Sequence, residues 1–389
     1  MTDNFKNVGA GESVNRDRGI LLSPSDTYGV YVHIPFCKAK CAYCAFCSTP
    51  DLSLRHAYID ALEQEILSTA VGKKIKADTV YIGGGTPSCL YDGALTRVFN
   101  ALRKTFAIDN GAEITVEINP ESCTGSFIRE CRDCGVNRVS MGMQSCDDGV
   151  LRAVNRLHDY KGFISAVKLL GKEGFDNIST DFILGLPEQT PDDIKKCVGV
   201  AAEYCTHASV YALTVEEGTP LFASGYRPDD DTVADMYDLA CGLLKSSGFI
   251  RYEVSNFAKN GKISRHNSKY WCGVPYVGYG AAAHGYDGKR LRYAHSDNVK
   301  EYVEGSPIII SELSDTDLYN EYIMLRLRTE AGILRADFKS RFGTELDATA
   351  GETIKKLVRQ GLLIDDGKSV RIAPDKMFVM NGIIEELML

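Results

Sequence analysis

The sequence predicts an α/β protein: a partial, TIM-like (β/α)6 barrel followed by a small helical, winged-helix-like C-terminal domain. Three observations predict it. Short β-rich runs alternate with helical stretches six times between residues 26 and 215, and such alternation gives βαβ units and a parallel sheet. The chemistry-bearing residues fall at the ends of those strands, where barrels of this kind carry their sites. From Asp315 onward the pattern changes to helices and a hairpin.

In order, residues 1–25 are rich in Asn, Asp, Gly and Ser and read as a disordered tail. A core barrel is expected over 26–255. Its strands are 29–34, 79–82, 114–118, 138–141, 178–183 and 208–213, and its helices 56–69, 92–105, 125–134, 147–154, 160–173 and 190–203. Residues 216–305 are less regular, with many Gly, Tyr and Asn; 256–310 reads as a connecting region. The C-terminal domain, 311–389, has helices at 317–329, 335–342 and 353–360, then 362–364 and 369–372 as a hairpin around Asp365 and Gly367.

Composition narrows the function classes. The 389 residues carry 44 basic and 52 acidic side chains, a net charge of −8. That argues against a nucleic-acid binder working through a broad basic surface. Acidic residues run through the C-terminal domain too, so partner docking or packing is expected there rather than DNA binding. No apolar run reaches the length of a spanning helix, and the polar first 20 residues lack the apolar middle of a signal peptide. A cytoplasmic location is expected. Thirteen cysteines fall short of a disulfide scaffold, so a close cluster of them reads as a metal site.

One such cluster exists. Residues 31–48 read YVHIPFCKAKCAYCAFCS, with Cys37, Cys41 and Cys44 spaced C-x3-C-x2-C and Cys47 just beyond. Thiolates are soft ligands that suit iron–sulfur or zinc. A structural zinc wants four ligands, and Cys47 could supply the fourth. A four-iron cluster on three thiolates instead leaves one iron open to an exchangeable ligand. Glycines 83–85 follow the second strand and allow a ligand to approach the backbone closely. Glu117 and Asp181 are carboxylates inside apolar strands; they serve a cofactor amine or ribose, or a structural pair with Arg138 or Arg156. The other cysteines read as small hydrophobes.

The C-x3-C-x2-C spacing with Tyr43 before its last cysteine resembles the signature of the radical S-adenosylmethionine superfamily. The resemblance implies a radical SAM barrel and a [4Fe-4S] cluster on Cys37, Cys41 and Cys44, whose open iron chelates the methionine moiety of S-adenosylmethionine. Further blocks resemble the oxygen-independent coproporphyrinogen oxidase branch: HIPFC from His33, YIGGGTPS from Tyr81, EINPE from Glu117, NRVSMGMQS from Asn137, NRLH from Asn155, DFILGLPEQT from Asp181 and GTP from Gly218. By that resemblance Tyr31, Gly84 and Glu117 line the cluster-bound cofactor. Tyr43, Gly85, Thr86, Gln144, Arg156 and Asp181 match positions assigned to S-adenosylmethionine, some of them to a second molecule.

Two departures from the oxidase pattern point to the heme chaperones of the same branch. Phe46 stands where the oxidase has a fourth cysteine, and only 36 residues precede Cys37. Residues 265–271 read RHNSKYW and resemble the heme-binding motif H-N-x-x-Y-W of those chaperones, with His266 as axial ligand and Tyr270 and Trp271 as flat faces. YVGYGAAAHG, from Tyr276, follows their glycine-rich block with Ala282 in place of a glycine. Cys47 departs from their pattern and is expected to be an incidental thiol. The resemblance therefore implies a heme chaperone with three cofactors (the cluster, S-adenosylmethionine and heme). It would pass heme to a respiratory, membrane-associated acceptor protein, with a homodimer left open. The alternatives are oxidative decarboxylation of coproporphyrinogen III, another radical transfer such as methylation, or a structural zinc protein.

Overall fold

Strands buried on both faces read as nearly continuous apolar runs and belong to parallel sheets covered by helices. The middle of this chain is built that way. The computed structural model describes residues 12–14, 22, 26–69 and 74–389. Its first seven strands are β1 (Glu12–Val14), β2 (Thr27–Ile34), β3 (Ile75–Gly84), β4 (Phe106–Ile118), β5 (Arg138–Gln144), β6 (Ile178–Leu184) and β7 (His207–Ala212). The helices between them are α1 (Arg55–Ser68), α2 (Ala94–Thr105), α3 (Gly125–Asp133), α4 (Asp148–Ala153), α5 (Tyr160–Lys172) and α6 (Pro191–Tyr204). Local chemistry sets their ends. Thr190 caps α6 by accepting from the Asp193 N–H, with Pro191 in the first turn. Thr124 caps α3 through the Phe127 N–H.

The segment expected to be irregular is mostly regular. It contains α7 (Pro220–Ala223), α8 (Asp230–Ser246), β8 (Ile250–Arg251), β9 (Asn256–Ala258), α9 (Arg265–Cys272), β10 (Tyr276–Tyr279), β11 (His284–Tyr286), β12 (Leu291–Ala294) and α10 (Val299–Glu304), and β13 (Ile308–Glu312) follows it. Strands of two to five residues split by glycines leave too little alternation to read from sequence. All thirteen strands form one sheet, in the order β1-β13-β12-β11-β10-β2-β3-β4-β5-β6-β7-β9-β8. The run from β10 to β7 is parallel, and both flanks are antiparallel. Among the described residues the two end strands, β1 and β8, do not pair with each other, so the barrel is open there. β1 lies within the segment expected to be a tail and pairs with β13; residues 1–11, 15–21 and 23–25 of that expectation lie outside the described residues.

The side chains of the sheet split into two sets. Val30, Val32, Ile34, Val80, Ile82, Val116, Ile118, Val139 and Met141 are fully or almost fully buried in one core with Ile59, Leu62, Leu95, Phe99 and Leu102 of α1 and α2. Each such side chain contributes about 1.5–3 kcal/mol of hydrophobic stabilisation. The alternate residues are polar: Tyr31 and His33, Tyr81 and Gly83, Thr115 and Glu117, Ser140 and Gly142, Ser179 and Asp181, Ser209 and Tyr211. Register sets Tyr31 beside Tyr81, Glu117 beside Ser140, and Asp181 beside both Gly142 and Ser209. The strand period of two thus makes one face of the curved sheet apolar and the other polar.

The C-terminal unit comprises α11 (Asp315–Leu327), β14 (Ile333–Leu334), α12 (Arg335–Phe342), α13 (Leu346–Arg359), β15 (Leu363–Asp365), β16 (Ser369–Ile372) and α14 (Met380–Glu385). A capping box of Ser314 and Asp317 starts α11. Tyr319, Ile323, Leu327, Phe338, Leu346, Ile354, Leu357 and Val370 form its separate core. Helix α13 begins seven residues earlier than the sequence suggests, because Thr349 and Gly351 weaken its helical signal. Helix α14 was not anticipated.

Candidate functional site

The polar face converges at the C-terminal ends of β2 to β6. Residues 35–50 follow β2 and hold the cysteine cluster. Backbone bonds pin this loop at both ends: Cys37 N–H donates to the Thr49 carbonyl at 3.1 Å, and Thr49 N–H to that of Pro35 at 2.7 Å. Its middle is held by neighbours. The Ala42 N–H donates to the Val154 carbonyl at 3.0 Å, the Asn155 amide to that of Lys40 at 2.9 Å, and the Leu221 N–H to that of Ala42 at 2.9 Å.

Each predicted thiol lies half-buried in this loop. The Cys37 sulfur sits 3.3 Å from the Thr86 hydroxyl, and Arg156 donates to the Cys41 sulfur at 3.6 Å. Burial pushes the Cys37 thiol up to about 11, with nearby Cys89, Cys44 and Cys41 adding to it. Burial raises Cys44 too, and Cys41 contributes. The loop therefore gathers the thiols into one electrostatic neighbourhood. It does not close them around an ion: among the described residues, no group of three or more His, Cys, Asp or Glu side chains is placed to hold a metal. The donor chemistry still fits a thiophilic centre, with Arg156 as the cation facing it. Cys47 turns away; its thiol donates to the Asp297 carbonyl at 3.0 Å.

The glycine turn packs against this loop. Gly85 N–H donates to the Ile34 carbonyl at 2.8 Å, and Thr86 N–H to that of Phe36 at 2.7 Å. Gly84 adopts φ +108°, and a Cβ there would meet the His33 ring at 2.3 Å, so only glycine fits. Its N–H donates to Glu117 Oε2 at 2.9 Å, and the Tyr81 hydroxyl to Glu117 Oε1 at 2.6 Å. Tyr31 completes this wall, its hydroxyl 3.0 Å from His33 Nδ1 and its ring 6.1 Å from that of Tyr81.

A second chain of contacts crosses the chamber. The Asn119 amide donates to the Thr86 hydroxyl at 2.8 Å, and Arg156 to Asn119 Oδ1 at 3.1 Å and to the Gly142 carbonyl at 2.8 Å. A Cβ on Gly142 would meet the Gln144 amide at 2.6 Å. Asp181 accepts from the Ser140 hydroxyl at 3.3 Å. Tyr43 packs with Val150, Val154, Ile183 and Leu186. Neither Glu117 nor Asp181 pairs with Arg138 or Arg156 within ion-pair distance. Burial raises the pKa of both acids; the charge of Asp181 raises Glu117 further, while the Ser209 and Ser140 hydroxyls and the charges of Arg138 and Arg156 draw Asp181 back down. The buried Arg138 Nε, Arg156 Nε and Thr115 hydroxyl have no hydrogen-bond partner. Two buried acids and these open donors fit a polar ligand carrying both an amine and hydroxyls.

The heme-motif residues sit elsewhere. Helix α9 packs on the polar face of β3, toward the start of the strand, and His266 is buried, with Nδ1 2.9 Å from the Thr79 hydroxyl and Nε2 2.9 Å from that of Tyr270. Both ring nitrogens are occupied, so the ring as placed presents no lone pair to an iron. Burial lowers its pKa to about 3, which keeps it neutral. Its ring lies 5.3 Å from Tyr81, one residue from the chamber. Tyr270 stands edge-on to Tyr276 at 4.7 Å, and Trp271 faces the C-terminal unit. Sequence reading did not single out Tyr81 and His33. The period of two that places Tyr81 on the same face as Gly83 would have found the first.

The chain is similar to known proteins over most of its length. The Radical SAM superfamily profile matches residues 31–200, and that of the HemN C-terminal domain residues 313–375. A protein of Lactococcus lactis named heme chaperone HemW is 33% identical over 370 residues, covering 92% of this chain and 97% of its own. The HemW of Bacillus subtilis is likewise 33% identical, covering 91% and 97%. A mitochondrial radical S-adenosyl methionine domain-containing protein 1 of Bos taurus is 30% identical, covering 96% and 90%. The structure of coproporphyrinogen III oxidase (HemN) from Escherichia coli superposes with a TM-score of 0.81 over 94% of this chain and 91% of that one, at 22% identity. That likeness concerns the fold.

Proposed function

Because this chain belongs to the radical SAM superfamily and, within it, to the family of the heme chaperones HemW, we propose that it binds heme and hands it to an acceptor protein. The observation that carries this reading is the similarity to chaperones so named, which runs through the cluster loop, the glycine turn and RHNSKYW alike.

In this reading Cys37, Cys41 and Cys44 hold a [4Fe-4S] cluster. Thr86 and Arg156 steady the sulfurs, and Arg156 offsets their negative charge. Glu117 and the Gly84 backbone receive the amine end of S-adenosylmethionine beside the cluster, while Asp181, Gln144 and the Thr86–Asn119 pair line its nucleoside end. Tyr31 and Tyr43 cover it. Bound there, the cluster and nucleotide supply one-electron chemistry; the buried walls keep water from it. In a chaperone this centre would control heme transfer or subunit association. Heme would dock at RHNSKYW, on Tyr270 and Trp271. Ligation by His266 requires its Nε2 to leave the Tyr270 hydroxyl.

The test uses the single tryptophan of the chain, Trp271. Heme is titrated anaerobically into the reconstituted protein while Trp271 fluorescence and heme absorption are followed, with His266→Ala alongside. Saturable quenching at about one heme per chain, lost in the variant, is expected. Absence of specific quenching would remove the heme site and bring coproporphyrinogen decarboxylation forward.

A further inference from the structure

A line of rings runs from the chamber wall to the end of α9. The rings of Tyr31 and Tyr81 lie 6.1 Å apart, those of Tyr81 and His266 5.3 Å, and those of His266 and Tyr270 5.3 Å. Each phenol on this line meets a base. Tyr81 donates to Glu117 Oε1 at 2.6 Å. His33 gives its Nε2–H to the Cys47 carbonyl at 2.8 Å, so its Nδ1 accepts from Tyr31 at 3.0 Å. The Tyr270 hydroxyl lies 2.9 Å from His266 Nε2, and the other ring nitrogen faces the Thr79 hydroxyl. Packing alone does not require this: the buried Tyr58 and Tyr319 donate to backbone carbonyls.

The line also has an end. The Tyr276 ring lies 4.7 Å beyond Tyr270, but its oxygen accepts from the Arg292 guanidinium at 3.0 Å, and the same cation stands 4.6 Å over the Tyr286 ring. A phenol that loses an electron there faces a cation instead of a base. Cys272, an exposed thiol, follows Tyr270 by two residues and closes α9.

We propose that Tyr81, His266 and Tyr270 form a relay that carries an oxidising equivalent out of the chamber to the end of α9, where a thiol quenches it. The relay rests on the reading above for its oxidant, a carbon-centred organic radical in the chamber. That radical takes the hydroxyl hydrogen atom of Tyr81, so one O–H bond breaks and one C–H bond forms. An electron from Tyr270 crosses His266 to the Tyr81 phenoxyl, which takes up a proton from chamber water. The Tyr270 proton passes to His266 Nε2, in the tautomer that gives Nδ1–H to Thr79. The two atoms are within transfer distance, and an oxidised phenol is acidic enough for a neutral imidazole to receive its proton. The thiol then returns one electron to Tyr270, His266 returns the proton, and the thiol proton leaves to water. The sum is one S–H exchanged for one C–H, with the thiol left as a thiyl radical. The buried walls are spared because the radical is moved to the surface.

The experiment supplies the oxidant by light, so its outcome does not depend on cluster or heme. A ruthenium polypyridyl photo-oxidant is attached to Cys272 of the full-length chain, in wild type and in Trp271→Phe, where no indole competes. After a flash with an electron-accepting quencher, radicals are captured by a nitroso spin trap and located by peptide mass spectrometry. Adducts on Tyr270 and Tyr81 are expected. The Tyr81 adduct is lost in Tyr270→Phe, and both persist in Tyr276→Phe. Cys272→Ser, which takes no label, gives neither. Absence of a Tyr81 adduct in the labelled chain, or its persistence in Tyr270→Phe, overturns the relay. Iron and sulfide uptake is assayed on the same wild-type preparation. Uptake without Tyr81 adducts removes the relay and leaves the cluster reading standing; Tyr81 adducts without uptake support the path and overturn that reading.

Discussion

The hydroxyl of Tyr81 donates to Glu117 Oε1 at 2.6 Å, and the same tyrosine ring lies 5.3 Å from that of His266. One side chain thus joins the wall of the polar chamber to the helix carrying RHNSKYW. Glu117 in turn accepts from Gly84, whose neighbours Gly85 and Thr86 bond to the start of the cysteine loop. The glycine turn and the cysteine loop are thus hydrogen-bonded to one another, and α9 meets them through the Tyr81–His266 ring contact. Tyr81 touches both the chamber wall and α9.

Glu117→Gln tests the chamber. Glutamine keeps the shape and one acceptor oxygen but sets an N–H₂ against a donor, and it removes a buried carboxylate that folding already disfavours in its charged form. A melting temperature near that of wild type is expected, with S-adenosylmethionine affinity reduced about tenfold, the equivalent of one charge-assisted hydrogen bond. Anaerobic calorimetry on the reconstituted protein measures it. Wild-type affinity in the variant would remove Glu117 from the site.

The cysteines make a separate prediction. Replacing Cys37, Cys41 or Cys44 by serine is expected to abolish iron and sulfide uptake on anaerobic reconstitution. Cys47→Ser is expected to leave uptake intact, because its thiol points to the Asp297 carbonyl. Iron and sulfide assays decide this. Loss of iron in Cys47→Ser would make it a ligand.

These particulars also show what the chain makes legible. β2 to β7 and most of α1 to α6 are readable because apolar strand runs alternate with helices that begin at strong caps, such as Thr124 before α3 or Thr190–Pro191 before α6. The flanking strands β8 to β13 were not: Ile250–Arg251 has two residues, and its place is fixed by β9 rather than by its own pattern. The cysteine spacing and the glycine turn were visible as motifs, whereas the Tyr81–Glu117 contact depends on parallel register between β3 and β4.

His266 predicts an acid sensitivity. Burial holds its folded pKa near 3 against an ordinary value of 6.5. Between those values the unfolded chain binds the proton that the folded one refuses, so this stability is present above pH 6.5 and is lost as pH falls below it. Relative to His266→Gln, wild type is expected to lose about 2 kcal/mol between pH 7 and pH 5. Urea unfolding of both proteins at the two pH values measures it, and a gap independent of pH would show that the imidazole is charged in the fold.

Glu253 predicts the opposite slope. It is fully buried between β8 and β9, accepting from the Ser255 N–H at 3.0 Å and from the Asn256 amide. Burial outweighs those bonds and raises its carboxyl from 4.5 to about 7. The folded chain then holds a proton that the unfolded chain releases above pH 4.5, so this contribution is fully present below pH 4.5 and is lost as pH rises toward 7. Glu253→Gln keeps the shape without the ionisation. Against that variant, wild type is expected to weaken by about 2 kcal/mol from pH 5 to pH 7, where His266 strengthens it by a similar amount relative to its own variant. Because the two groups lie on different elements, the double variant should show the sum of the two differences, leaving little net pH dependence relative to wild type. A slope of the same sign for both single variants would mean that Glu253 is ionised in the fold, held by its backbone and Asn256 donors.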